Sequence, residues 1–306
     1  MLNPSRPSGF FKQAAIGANV AAGRESRQRR QALNFLDRVR DAERRNRTVL
    51  CVGLDPDPGR LPEALRGAPD PVFQFCRHIV DATQDLVLAF KPQIAFFAAQ
   101  QAERQLRQLI EHIHATTQIP VILDAKRGDI GSTADMYARE AFEVYGADAV
   151  TVNPYFGHDA LLPFLSRADK GIIILCRTSN PGSHEIQNMA LADGRPLYEY
   201  VAHKAATDWN ANGNVLLVAG GTHQREVGRI REIVGGMTLL IPGVGAQGAD
   251  IAALMESARG GGVIVSTSRA VNYAGGGSDF AGAARAAALA VRDALNEARQ
   301  AAASSA

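Results

Sequence analysis

From Val49 onward the chain alternates between two hydrophobic patterns. Short runs are apolar at nearly every position: VLCVGLD from Val49, LVLAFKP from Leu86, PVILDAK from Pro120 and AVTVNP from Ala149. Four more follow, GIIILCRT from Gly171, NVLLVAG from Asn214, TLLIPGV from Thr238 and GVIVSTS from Gly262. A strand with one wet face would alternate apolar and polar residues. Continuous apolarity instead predicts strands buried on both faces, as in a parallel sheet.

Between these runs the apolar residues recur at helical spacing. One helix is expected over Ala95–Ala115, with Phe96, Ala99, Leu106, Leu109, Ile110 and Ile113. Another is expected over Ser132–Tyr145, with Ser132 or Thr133 as its cap ahead of Asp135. Ile251, Leu254 and Met255 mark a further helix, the Ala-rich run Phe280–Ala303 the last, and Leu33, Leu36 and Val39 one that precedes the first strand. Strand then helix, eight times, predicts an α/β fold of the (β/α)8 or TIM barrel type. An open, doubly wound nucleotide-binding sheet would want GxGxxG after its first strand. That position holds the acidic, Pro-rich GLDPDPG.

Composition limits the remaining choices. The chain has 306 residues, 46% of them hydrophobic, with a formal net charge of +2, which offers no case for nucleic-acid or membrane binding. Its apolar runs fall well short of the roughly 20 residues that span a bilayer. Cys51, Cys76 and Cys176 are odd in number and far apart, which fits buried thiols in a reducing compartment, and the cytoplasm is the expected location. Residues 1–30 are basic and turn-rich, with Glu25 the first acid. A transit peptide and a disordered extension share that composition, and we expect the extension. The barrel is then expected over residues 31–300 as a single domain, and residues 301–306 as a frayed tail.

In such barrels chemistry sits at the C-terminal strand ends. Here those ends carry Asp55, Lys91, Asp124 and Lys126, Asn153, Arg177 with Thr178 and Ser179, Gln247, and Ser266 with Ser268 and Arg269. Parallel strands bring all of them to one mouth, which predicts a site rather than scattered solvated termini. Asp124 and Lys126 are two apart and project to the same side, with Lys91 on the neighbouring strand. Alternating ammonium and carboxylate groups keep one another ionised. Gly128 lets the chain turn, so Asp129 beyond it need not point into its own barrel. The glycines of GVGAQG and the STSRA turn suit a phosphate site, with Arg269 able to grip two oxygens. Gly260–Gly262 lies at the opposite face and is expected to be a plain connection. The seven histidines show no ligand spacing, so no metal is expected.

These residues resemble a known family. ILDAKRGDIGSTA is similar to the D-x-K-x-x-D signature of the orotidine 5'-monophosphate decarboxylases, with its following threonine. CVGLDPDP, FKPQIAFF, TVNPYFG, RTSNPGS, PGVGAQG and the STSRA turn follow the family order between Leu36 and Ala270, and resemble its type 2 branch. The resemblance implies decarboxylation at C6 of a pyrimidine nucleotide in UMP biosynthesis, without cofactor. It implies that Lys126 donates the proton to C6, that Asp124 lies beside the substrate carboxylate, and that Lys91 holds Asp124 and reaches toward the ribose. Asp129 and Thr133 would enter a partner's site, which implies a homodimer with shared active sites. Asp55 and Gln93 would contact the ribose, Ser179 and Thr178 the pyrimidine, and Gln247, Arg269 and the Ser268 N–H the phosphate.

Two other functions remain in view. A magnesium-dependent sugar-phosphate decarboxylase or aldolase of the same superfamily would, by the same resemblance, carry a metal-binding glutamate on the second strand, where this chain has Lys91. A non-catalytic phosphate-ligand-binding barrel would bind nucleotide without releasing CO2.

Overall fold

A computed structural model describes residues 33–243 and 250–304. Eight parallel strands form the barrel: β1 (Leu50–Leu54), β2 (Ala89–Pro92), β3 (Ile122–Arg127), β4 (Ala149–Val152), β5 (Gly171–Arg177), β6 (Val215–Ala219), β7 (Leu239–Pro242) and β8 (Val263–Thr267). The sheet runs in the order β2-β1-β8-β7-β6-β5-β4-β3. Parallel bridges Phe90↔Val121 and Gln93↔Asp124 close it between β2 and β3. Every continuously apolar run therefore became a strand. Their side chains, from Leu50 and Val52 to Ile264 and Val265, are almost wholly buried between barrel interior and helices.

The helices differ from expectation where tertiary contacts intervene. The stretch 95–115 is two helices, Ile94–Ala98 and Glu103–Thr116, broken where Gln101 takes a left-handed φ of 53°. The Gln100 amide donates to the carbonyls of Pro56 (2.8 Å) and Phe96 (2.5 Å), which ties the break to the loop after β1. The helix expected from Ser132 starts at Gly131, and no side chain caps it. Its last turn widens into a π-turn, Glu140–Val144, where Glu140 pairs with Arg127 of β3 at 2.8 and 3.0 Å. The last helix, Phe280–Ser304, runs through most of the segment expected to fray, because alanine favours helix and Ala302 is buried.

The helix before β1, Phe35–Asn46, starts at an Asn34 cap and ends at a left-handed Arg47. It lies across the N-terminal ends of β4 and β5. The Phe35 ring packs on Gly171, where a Cβ would come within 2.3 Å of it, and Arg38 pairs with buried Asp148 at 2.9 Å. Gly260–Gly262 also serves this face. Buried Arg231 donates to the carbonyls of Ala258, Gly235, Met237 and Gly262, and a Cβ at Gly261 would lie 2.1 Å from its guanidinium. Burial without a carboxylate partner lowers the Arg231 pKa to about 10. Both devices close the barrel at the end away from the charged strand termini.

Candidate active site

At the C-terminal mouth, β2 and β3 bring three charged groups together. Lys91 Nζ donates to Asp124 Oδ2 at 2.8 Å, and Lys126 Nζ to Asp124 Oδ1 at 2.6 Å. Lys91 and Asp124 are buried, whereas the Lys126 side chain is 46% exposed. Burial alone would raise the Asp124 pKa, but the two ammonium groups pull it far below the usual carboxylate range. Burial alone would lower the Lys91 pKa, and the carboxylates of Asp124 and Asp55 raise it instead. Lys91 and Asp124 thus stay charged near neutral pH. Lys126 is the outer, half-exposed member of the cluster.

Simple strand alternation does not explain how Lys126 gets there. Leu123 pairs with Val150 and Arg127 with Val152, so Asp124, Ala125 and Lys126 stand opposite Thr151 alone. This bulge leaves Lys126 with a φ of 49°, in the left-handed region that side chains disfavour. The Thr151 hydroxyl accepts from the amides of Ala125 and Lys126, each at 2.9 Å, and donates to Asp124 Oδ1 at 2.9 Å. Sequence reasoning missed Thr151. Its only signal was a hydroxyl within the apolar run AVTVN.

Asp55 stands at the end of β1. Its Oδ2 accepts the Ser268 hydroxyl, its carbonyl accepts the Tyr273 hydroxyl at 2.7 Å, and Oδ1 is buried without a partner among the described residues. Tyr273 also accepts the Asp57 N–H at 2.6 Å and lies under Arg60, whose guanidinium is 3.8 Å from the ring centroid. Ser268, expected to act through its N–H, thus holds Asp55 through its side chain. Gly53 makes room, since a Cβ there would lie 2.9 Å from that of Ser268. Tyr273 had no motif to reveal it.

Other expected residues stand around this core. Gln93 is half-buried and caps the helix Ile94–Ala98 through its side-chain oxygen. Thr178 is held by Gln187 through both backbone and hydroxyl, and buried Arg177 braces the same loop through Ser183 and Gln187. Ser179 packs against Gly220 of the adjoining strand end. Arg269 is exposed at the start of the short helix Arg269–Asn272 after β8. Gln247 lies outside the described residues.

Asp129 and Thr133 are not part of the Asp124 cluster. The Asp129 carboxylate accepts the N–H of Ile130 at 2.8 Å and forms no ion pair among the described residues, while Thr133 is exposed. Around them lies exposed apolar surface: Ile130, Met136, Tyr155 and Phe156, with Tyr155 81% exposed. Asn153, which had no expected role, caps the turn that carries Tyr155 and Phe156. The three cysteines are free and buried, and burial pushes the Cys51 thiol up to about 12. His112 and His114 turn to different acids, Asp81 and Asp148. Among the described residues no three His, Cys, Asp or Glu side chains gather as metal ligands.

Comparison with known proteins agrees with this geometry. Residues 48–281 match the model of the orotidine 5'-phosphate decarboxylase / HUMPS family. Orotidine 5'-phosphate decarboxylase of Azoarcus sp. is 57% identical over 268 residues, which cover 86% of this chain and 99% of that protein. The same-named protein of Ralstonia pickettii is 57% identical over 271 residues, covering 87% of this chain and all of the relative. Among solved structures, Leishmania donovani OMP decarboxylase superposes with a TM-score of 0.75 at 36% identity, over 87% of this chain and 99% of that one.

Proposed function

The chain belongs to the orotidine 5'-phosphate decarboxylase / HUMPS family, and from that premise we propose that it converts orotidine 5'-monophosphate to UMP and CO2, a step of pyrimidine biosynthesis, with no cofactor. The observation that carries this reading is Asp124 fixed between Lys91 and Lys126. When the C6–carboxylate bond breaks, its electron pair stays on C6. The Lys126 ammonium stands where that charge develops and donates a proton to C6, after which solvent reprotonates the amine. A cation already in place stabilises the carbanion without reorganisation. Asp124 faces the substrate carboxylate, a repulsion that is relieved as CO2 leaves. Lys91 keeps Asp124 ionised and in place.

The remaining roles follow the same reading. Asp55, whose Oδ1 has no partner among the described residues, and Gln93 hold the ribose hydroxyls. Ser179 and Thr178 contact the pyrimidine, and Gln247, Arg269 and Ser268 hold the phosphate. Phosphate binding, remote from C6, lowers the barrier by fixing the ring. Asp129 and Thr133 complete the site of a second copy. Support comes from their position, Asp129 just before and Thr133 within the first turn of the helix that starts at Gly131, near the exposed Ile130, Met136, Tyr155 and Phe156. The catalytic unit is the barrel of residues 31–300, preceded by the basic extension 1–30. Free, buried cysteines support a cytoplasmic location.

Two experiments test this reading. Loss of the orotate absorbance on adding the chain to orotidine 5'-monophosphate should be indifferent to EDTA. Loss that EDTA stops would favour the metal-dependent alternative, and nucleotide binding without absorbance loss the silent barrel. Mixing Lys126→Ala with Asp129→Asn tests the dimer. Hybrids would carry one intact site, restoring up to about a quarter of parental activity. If Asp129 served its own chain, mixing would restore nothing.

A further inference from the structure

We propose that Thr151 is a positioning residue for the decarboxylation, one that holds both the Lys126 backbone and the Asp124 carboxylate through a single hydroxyl. The inference rests on the functional reading above and extends it to a residue outside the charged motif.

A hydroxyl has one proton to donate and two lone pairs to accept with. Thr151 uses all three. The amides of Ala125 and Lys126 occupy the lone pairs, so its proton can go only to Asp124 Oδ1. Oδ1 must therefore be an unprotonated, accepting oxygen. Asp124 thereby receives three donors, Lys91, Lys126 and Thr151, which fix its plane.

The same hydroxyl replaces a missing ladder. Three residues of β3 oppose one of β4, so two consecutive amides at the bulge meet a side-chain oxygen instead of strand carbonyls. One of them belongs to Lys126, whose left-handed backbone aims the ammonium. Thr151 is itself 1% exposed and is held in the closed sheet between β3 and β5. Without its hydroxyl, two part-buried amides lose their acceptor, and the bulge that sets Lys126 has no reason to keep its shape. An unmoored Lys126 would still bind a nucleotide held by ribose and phosphate contacts. It would be misplaced at C6, where a displacement of about 1 Å can cost about 10²-fold in rate.

Thr151→Val and Thr151→Ala remove the hydroxyl, and Thr151→Ser keeps it while removing the methyl. Each is assayed with orotidine 5'-monophosphate after a thermal melt shows cooperative folding, beside a parent whose turnover has been established. A parent without turnover would refute the functional reading, independently of Thr151. The expected result is a fall in kcat of about 10²-fold in the hydroxyl-free variants with KM changed less than about threefold, and Thr151→Ser within about threefold of the parent on both. A folded Thr151→Val with near-parental kcat would overturn the proposal. So would a Thr151→Ser as impaired as valine, since the methyl rather than the hydroxyl would then matter. If neither hydroxyl-free variant folds, Thr151 is a folding element and the positioning role falls.

Discussion

Two buried carboxylates, one at each end of the barrel, have similar partners and different surroundings. At the N-terminal end, Asp148 is 2% exposed, pairs with Arg38 at 2.9 Å, accepts the Val121 amide at 2.9 Å, and meets His114 at 3.1 Å. These three partners belong to packed elements, and the Arg38 pair ties the helix Phe35–Asn46 to the sheet. At the C-terminal end, Asp124 pairs with Lys91 and Lys126 and accepts from Thr151. There the network is open on one side, with Lys126 half exposed and, at the adjacent strand end, an Asp55 oxygen without a partner among the described residues. The contrast separates two uses of buried charge. A closed network fastens elements together, whereas one with a member left facing the opening can act on a ligand.

The largest effect that would sharpen the contrast is expected from Lys91→Ala. It leaves a buried carboxylate short of one cation, so it should cost about 3 kcal/mol in urea unfolding. It should also cost at least about 10²-fold in kcat, because Asp124 loses the one donor to its Oδ2 among the described residues and is no longer fixed on both oxygens. Retention of either property would mean that Lys91 serves only the other. Arg38→Ala should cost a similar amount of stability, about 3 kcal/mol, with kcat per folded molecule unchanged within about threefold. A turnover defect there would break the comparison, since the closed network would then serve the reaction.

The next effect is one of pH. Asp124 titrates below its ordinary range, so its contribution to stability is complete above about pH 4 and is lost as pH falls below that. Lys91 titrates above its ordinary range, so its contribution is complete below about pH 10 and is lost as pH rises beyond that. Urea midpoints of the parent and Asp124→Asn should therefore differ by a constant amount between those limits and converge in acid. A gap that persists unchanged at about pH 2 would contradict the pairing. The smallest effect is expected from Gly261→Ala, whose methyl meets the Arg231 guanidinium at the N-terminal face. It should cost about 1–3 kcal/mol in thermal or urea unfolding and leave kcat unchanged. Undiminished stability would mean that Arg231 can move aside.

The two ends also differ in how far the sequence foretold them. All eight strands were legible because burial on both faces leaves a continuous apolar run that little else imitates. Lys91, Asp124 and Lys126 were legible because charges stood out at the ends of those runs. Thr151 was hidden, since threonine is an ordinary strand residue and its hydroxyl acquires meaning only from a bulge on the neighbouring strand. Tyr273 acts on Asp55 from 218 residues away and Gln187 on Thr178 from 9 residues away, and no residue pattern announces either contact. The single helix expected over 95–115 failed for a related reason. Its apolar spacing was sound, but the tie from Gln100 to Pro56 accompanies a break at Gln101 that composition does not encode.

The central claim is that the open network does chemistry while the closed one holds the fold. Lys126→Ala tests it most directly, by orotate absorbance and a thermal melt on the same preparation. The account predicts a loss of turnover of at least about 10³-fold with a melting temperature within a few degrees of the parent. Near-parental turnover, or a collapse of the fold in step with the lost activity, would contradict it.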